Sequence, residues 1–373
     1  MHNKKNPFYF GNEVYESDFC NRIEELNELQ KDIDNGLNVL LYAPRRFGKT
    51  SLIKKLQAEL KKNKNYNFIY FDFFSVSSIE EFIQKYFSTI ARSFNSTPQK
   101  VLNLFKTTLK FRPIVNMSLN SLGDISYSLS IIKKEQNNTL EDVLNLPLEY
   151  AKKFNKKVIV VFDEFQEIEQ FSIEKKIRSA IQTHSRAVSY IFSGSKKTIL
   201  TQMFNDKQRA FYKSVKHLHI EQILKKDWIK FIQNKFEKTK KYIDTKYIEK
   251  AFEITNGFPY YMQQLMYMIW DNTTQSVNES IVNDSLKMML QSESDLYGLI
   301  WTNLTPNQKK TLKYILQNNG ENIYSNNNLS EFNISASTLK STIEALIKKD
   351  IFDRKNNRYY FIDPFMKYWL QNI

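Results

Sequence analysis

The run Asn38-Val39-Leu40-Leu41-Tyr42 passes directly into Ala43-Pro44-Arg45-Arg46-Phe47-Gly48-Lys49-Thr50-Ser51, and that loop into the helical stretch Leu52-Ile53-Lys54-Lys55-Leu56. A strand, a loop and a helix in this order narrow the choice of fold sharply. A polyphosphate needs backbone N–H donors, the partial positive charge of a helix N-terminus, an ammonium group and a hydroxyl for Mg²⁺. The loop offers all four in the order GxxxxGK(S/T). Pro44, Arg45, Arg46, Phe47, Gly48, Lys49, Thr50 and Ser51 are therefore the candidate nucleotide-binding loop, with Thr50 the candidate Mg²⁺ ligand. Ala43 stands where the pattern's first Gly is expected, at the end of the strand, where a small residue suffices.

Lys157-Val158-Ile159-Val160-Val161-Phe162-Asp163-Glu164-Phe165 is an apolar strand that ends in two acids. Buried on both faces of a parallel sheet, such a strand delivers its carboxylates to the C-terminal edge, where open α/β sheets bind ligands. Asp163 is expected to hold Mg²⁺ together with Thr50, and Glu164 to orient and polarise the water that attacks the γ-phosphate. An Asp that merely caps the next helix would explain one motif. Two motifs in the right order and context point to ATP or GTP.

Further apolar runs at Asn67–Asp72, Ala187–Phe192 and Val215–Ile220 bring the strands to five, separated by helical patterns. This predicts a parallel sheet of βαβ units over residues 1–220. The run ending at Phe192 enters Ser193-Gly194-Ser195, which places a hydroxyl beside the two acids as a sensor of the γ-phosphate. Either Ser193 or Ser195 serves, with Ser193 the first choice. Between the second and third strands an insertion carries a helix over Phe82–Phe94, another from Pro98, and alternation over residues 114–130 that suits a hairpin touching a partner or covering an edge. Residues 221–294 read as a small helical lid, with Gly257 ending one helix and Pro259 opening the next.

Residues 295–373 read as a winged helix. Leu304-Thr305-Pro306 caps a helix, Ser335 or Ser337 caps another through Leu346, and basic strands flank Asn356-Asn357. If this domain binds duplex DNA, Ser337, Thr338, Lys340, Arg354, Lys355 and Arg358 are the candidate contacts, mostly to phosphate.

Composition excludes other classes. A chain of 373 residues with 42% hydrophobic content can build two or three cores. Its one cysteine, Cys20, allows neither an internal disulfide nor a thiolate metal cluster, and His2, His184, His217 and His219 form no convincing metal set. The N-terminus lacks a signal-like apolar run and no stretch nears the roughly 20 residues of a membrane span, so a cytoplasmic protein without membrane contact is expected. The net charge of +14 permits a nucleic-acid partner, but Lys and Asn abound as in an AT-rich coding sequence, and the lysine runs suit solvated helix faces.

Asn6-Pro7-Phe8, Phe19 to Leu26 with Arg22, the paired Arg45-Arg46 before Gly48-Lys49-Thr50, Asp163-Glu164, Ser193-Gly194-Ser195 and Gly257-Phe258-Pro259 together resemble the archaeal-type ATPases of the STAND branch of the AAA+ class. The resemblance covers essentially the whole chain. It implies an α/β P-loop fold followed by a helical lid and a C-terminal winged helix, ATP and Mg²⁺ as cofactors, and adenine over guanine. It also implies that Pro259 reports nucleotide state to the lid and that Arg22 borders the base, although Asn21 and Ile23 replace the family's Gly and acid there. No Arg lies between Gly257 and Trp270, where initiator proteins carry a second sensor. Before the fifth strand, where relatives have an arginine after an aromatic, Phe211-Tyr212-Lys213 stands with Arg209 upstream, which implies slow catalysis. The expected function is a Mg²⁺-ATP switch gating a protein partner. The alternative is an ATP-licensed DNA-binding protein of the initiator or transposition-regulator type. A phosphoryl transferase lacks an acceptor site, and homo-oligomerisation is left open.

Overall fold

The computed structural model describes residues 5–11, 18–94, 96–110, 114–119, 125–130, 135–194, 197–325, 329–330, 332–355 and 357–373. The chain divides into two compact units, one of residues 22–221 and one that joins residues 1–21 to residues 222–373.

In chain order the first unit runs α1 (Ile23–Asp34), β1 (Val39–Tyr42), α2 (Lys49–Leu60), β2 (Tyr66–Asp72), α3 (Ile79–Ser93), α4 (Pro98–Thr108), β3 (Ile114–Leu119) and β4 (Ile125–Ser130). It continues with α5 (Gln136–Phe154), β5 (Lys157–Asp163), α6 (Glu174–Thr183), β6 (Val188–Gly194), α7 (Lys197–Asn205) and β7 (Lys216–His219). Five of these strands form the expected parallel sheet, and their order is β2-β5-β6-β1-β7. Residues Val158 to Asp163 of β5 and all of β6 are buried, the signature of central parallel strands covered on both faces. From β1 the chain crosses to the β2 edge, and β5 and β6 lead back. The carboxyl ends of β1, β5 and β6 thus present the phosphate loop, Asp163-Glu164 and Ser193 side by side, where such sheets bind ligands.

Aromatic packing fixes the turn after β5. Phe165 lies 4.6 Å from Phe192 and 5.3 Å, edge to face, from Phe211, while Phe162 is 5.5 Å from Tyr86. Such pairs contribute about 0.5–1.5 kcal/mol each beyond the area they bury, so the residue after Glu164 is tied to the core. The insertion helix α3 starts at Ile79, earlier than the apolar run alone suggested, because Ser78 accepts a hydrogen bond from the Glu81 N–H at 3.1 Å and sets the N-cap. The expected hairpin is β3 paired antiparallel with β4, and its tip at 120–124 lies outside the described residues. Tyr127 and Leu129 point into the core and Ser88 donates to the Tyr127 carbonyl, so the hairpin covers α3.

The second unit contains α8 (Lys225–Lys238), α9 (Thr245–Thr255), α10 (Pro259–Asp271), α11 (Glu279–Ser292), α12 (Ser294–Thr302), α13 (Pro306–Gln317), α14 (Ala336–Lys348), β8 (Phe352–Lys355), β9 (Arg358–Phe361) and α15 (Pro364–Leu370). The N-terminal segment belongs here because the buried Lys235 ammonium donates to Asp18 at 2.6 Å and to the Pro7 carbonyl, while Phe8 packs 5.7 Å from Phe236. Thr305 and Gln308 form a full capping box on α13, and Ser335 rather than Ser337 caps α14. The winged helix packs on the start of α10, with Phe258 6.0 Å from Tyr360 and Tyr261 5.2 Å from Phe365.

Between α13 and the wing, Gly320 has φ 75°, and a Cβ there would lie 1.8 Å from the Tyr359 carbonyl oxygen, whose own N–H donates to the Gly320 carbonyl at 3.0 Å. Gly298, by contrast, sits within α12 with nothing within 4 Å of a new Cβ. We expect Gly320→Ala to destabilise by roughly 1–3 kcal/mol or more, the range for a left-handed non-Gly residue before any clash. Gly298→Ala should stabilise by roughly 0.5–1 kcal/mol. Urea unfolding of both variants checks this, and equal midpoints would contradict it.

Candidate functional site

The loop after β1 turns through two left-handed residues, Arg46 at φ 65° and Gly48 at φ 83°, before α2 begins at Lys49. A Cβ at Gly48 would meet nothing within 4 Å, so the glycine answers to its φ and not to crowding by the protein. The Lys49 side chain is 7% exposed and its ammonium donates to the carbonyls of Ala43 at 2.8 Å and Pro44 at 3.2 Å. Burial lowers its pKa to about 8, against the pull of the nearby Glu164 and Asp163 carboxylates. Arg22, left-handed at φ 75° and buried, donates to Glu25 at 2.6 Å and to the Glu221 carbonyl, and approaches the Phe47 carbonyl at 3.5 Å. It therefore ties the loop to both ends of this unit.

The acids converge opposite the loop. The Thr50 hydroxyl lies 3.4 Å from Asp163 Oδ2, and Asp163 Oδ1 accepts the Glu164 N–H at 3.0 Å. Glu164 is left-handed at φ 47°, an uncommon state for a side-chain-bearing residue and one that clusters at functional sites. Gln166 donates its amide N–H to Glu164 Oε2. The oxygens of Thr50 and Asp163 suit Mg²⁺, which takes one or two protein oxygens and completes its shell with phosphate and water.

Besides Gln166, two residues here escaped sequence reasoning. Tyr70 donates its hydroxyl to Asp163 Oδ2, with the Lys54 ammonium 3.9 Å from the centroid of its ring. Asp72 sits in register with Asp163, and burial, followed by the charges of Asp163 and Glu164, raises its pKa against the Phe74 N–H bond. Only the pairing of β2 with β5 reveals them, and nothing in the order of residues states that pairing.

Ser193 is fully buried, and its Oγ has no hydrogen-bond partner among the described residues, whereas Ser195 lies outside them. Arg209 is engaged by Glu169 at 2.7 Å and Glu174 at 2.6 Å. His184 is buried between Tyr190 and Asn145, with its pKa pushed down to about 4 by burial, and His219 stacks on Tyr42 at 4.9 Å, so both pack within the fold. Ser51 is buried in the first turn of α2, and Pro44, Arg45 and Phe47 complete the loop.

Pro259 belongs to the second unit, as the first residue of α10 after the left-handed Asn256 and Gly257. On the winged helix, Ser337 and Lys340 are exposed and Thr338 is partly covered, its hydroxyl bonded to Ser335 at 2.8 Å. Arg354 donates to Asn357 and lies 5.4 Å over the Tyr359 ring, while Arg358 meets Glu321 at 3.3 Å and the Asn319 carbonyl at 3.1 Å. The Lys355 side chain is outside the description.

Residues 19–265 match the family described as an ATPase domain predominantly from Archaea, and residues 295–372 match a winged helix domain. An ATP-binding protein of Methanocaldococcus jannaschii is 28% identical over 196 residues, which cover 50% of this chain and 48% of that protein. The chain thus spans about half the length of this curated relative. The Walker-type ATPase of Pyrococcus abyssi superposes with a TM-score of 0.67 at 20% identity, covering 96% of this chain and 98% of that one. The ORC2 protein of Aeropyrum pernix, solved with ADPNP and ADP, gives 0.56 at 14% identity over 98% and 95%. At these identities the two structures speak for the fold. Among the described residues, no helix is long and apolar enough to cross a membrane.

The buried ammonium carries a testable consequence. Lys49 holds its proton to about 8 in the fold, against 10.5 for an ordinary lysine. The unfolded chain therefore binds more protons between those values and stability rises with pH across that window, while below it the fold bears the full burial penalty. We expect Lys49→Met to raise the melting temperature of the nucleotide-free protein and to abolish its further rise with Mg²⁺-ATP. In the wild type, affinity for the nucleotide should weaken as pH rises through about 8. Thermal unfolding with and without nucleotide at several pH values reads both effects, and unchanged nucleotide stabilisation in Lys49→Met would contradict the assignment.

Proposed function

The chain belongs to the ATPase family found predominantly in Archaea, and from that premise we propose that it is a Mg²⁺-ATP-dependent conformational switch with slow hydrolysis. In this reading the phosphates rest on the backbone of residues 44–51, the Lys49 ammonium exchanges its two carbonyl partners for β- and γ-phosphate oxygens, and Thr50 and Asp163 hold the cation. Bound Mg²⁺ supplies neutralisation of the charge on the phosphates. Glu164 takes up the proton of the attacking water, and the buried Ser193 hydroxyl donates to the γ-phosphate that it lacks a substitute for. The commitment of Arg209 to two carboxylates supports slow turnover, since that guanidinium is already spent.

The observation that carries the switch is the packing of the winged helix on the first turn of α10, through Phe258 with Tyr360 and Tyr261 with Phe365. A nucleotide effect on Gly257-Phe258-Pro259 would move lid and wing together, and hydrolysis would release the state that ATP holds. A regulated protein is the partner we favour, because the guanidinium groups of Arg354 and Arg358 are bonded within their own domain. The exposed Ser337 and Lys340 on α14 keep an ATP-licensed DNA-binding reading as the second choice, with Thr338, Arg354, Lys355 and Arg358 as its remaining contacts.

Steady-state ATP turnover with and without duplex DNA separates the two readings. We expect slow turnover indifferent to DNA, ATP trapped by Glu164→Gln, and nucleotide binding lost in Lys49→Ala. Stimulation by DNA that disappears with salt and with Arg354→Ala/Lys355→Ala/Arg358→Ala would move the conclusion to the DNA reading. Normal turnover by Glu164→Gln and Lys49→Ala would overturn the site itself.

A further inference from the structure

Gly194 closes β6 and pairs with Tyr42, the last residue before the phosphate loop. Its backbone is not in the left-handed region, so the conformational freedom of glycine is unused there. Space explains it instead. A Cβ at Gly194 would lie 2.1 Å from Gln166 Oε1 and 2.9 Å from Leu200 Cδ1. The Gln166 side chain is 3% exposed and, from this cradle, sends its other amide atom to Glu164 Oε2. The reverse amide orientation would set an oxygen against the carboxylate, so the donor and acceptor ends are assigned by chemistry. Oε1 is buried and finds no hydrogen-bond donor among the described residues. Leaving a buried acceptor unsatisfied costs about 1–3 kcal/mol, a penalty tolerated where placement serves a site.

We propose that Gln166 is a positioning residue: seated in the space that Gly194 leaves, it fixes the Glu164 carboxylate and so couples the end of the sensor strand β6 to the general base. Three facts converge on it. Glu164 sits in a left-handed turn, and Gln166 is a neighbour that donates to its carboxylate there. Phe165, between the two residues, is locked in the aromatic core, which gives Gln166 a rigid base. Gly194 lies beside Ser193, the candidate γ-phosphate sensor, so a shift of that strand end reaches Glu164 through a single amide. The inference rests on the reading of Glu164 as the base.

The test measures kcat and KM for Mg²⁺-ATP in the full chain carrying Gln166→Met, Gly194→Ala, both together, or Glu164→Gln. Gln166→Met keeps the volume and removes the amide, while Gly194→Ala displaces it. We expect each single variant to lose roughly 10-fold to 100-fold in kcat, the scale of a misplaced catalytic group, with KM changed much less. The double variant should lose no more than Gln166→Met alone, because both act through one amide. Losses that multiply would overturn the part given to Gly194. Should Gly194→Ala fail to fold by circular dichroism, Gln166→Met decides alone. Wild-type kcat in Gln166→Met beside an inactive Glu164→Gln would overturn the proposal and leave the ATPase reading standing, whereas full activity in Glu164→Gln would remove the reading beneath it.

Discussion

A buried ammonium held between two main-chain carbonyls and faced by two carboxylates organises the first unit. Lys49 can occupy that place only because β1 ends where it does, the loop doubles back through Arg46 and Gly48, and β5 brings Asp163 and Glu164 alongside. Its desolvation opposes folding, and the acids offset part of that penalty. A polyphosphate would restore strong charge-assisted partners to a cation that the fold has partly stripped of water.

The acids are in turn held from behind. Asp163 is bonded by Tyr70, Thr50 and the Glu164 backbone, and Glu164 by Gln166, so neither carboxylate rotates without disturbing another group. Phe165 anchors their shared turn in a cluster that reaches Phe192, Phe204 and Phe211. The left-handed strain at Glu164 persists because rigid aromatic packing surrounds it on the chain side and the hydrogen bonds restrain it on the solvent side. Chemistry at the sheet edge and packing at the sheet centre are therefore one problem, joined at residues 162–166.

Much of this was legible in the residue order because local signals carried it. Apolar runs of strand length, a Gly-Lys-Thr before a helix, and an Asp-Glu at a strand end each depend on neighbours within about ten residues, the range that hydrophobic periodicity reads well. Tyr70 and Asp72 were invisible because their role depends on which strand lies beside β5, a contact more than 80 residues distant that only the sheet order β2-β5-β6-β1-β7 reveals. Gln166 was overlooked for a related reason. It stands two residues from Glu164, yet its importance lies in the missing Cβ of Gly194, and an empty space has no letter in a sequence. The Ser193-Gly194-Ser195 triplet read only as the source of a sensor hydroxyl, while in the fold Gly194 is the last residue of the strand and its smallness is what matters.

The scarcity of glycine sharpens that point. Eight glycines in 373 residues is far below the usual share of about 7%, and the chain is correspondingly rich in asparagine, the residue next best suited to left-handed backbone. Asn155 and Asn256 end α5 and α9 in that conformation, where glycine is the common choice, and Asn319, Asn322, Asn333 and Asn357 take further such positions. Positive φ alone therefore does not oblige this chain to use glycine. At Gly194 and Gly320 asparagine could not serve, because there the neighbouring amide and the neighbouring carbonyl occupy the volume of a Cβ. The glycines that stand against a close neighbour mark contacts the fold requires, and the contact at Gly194 leads through Gln166 to the Glu164 carboxylate.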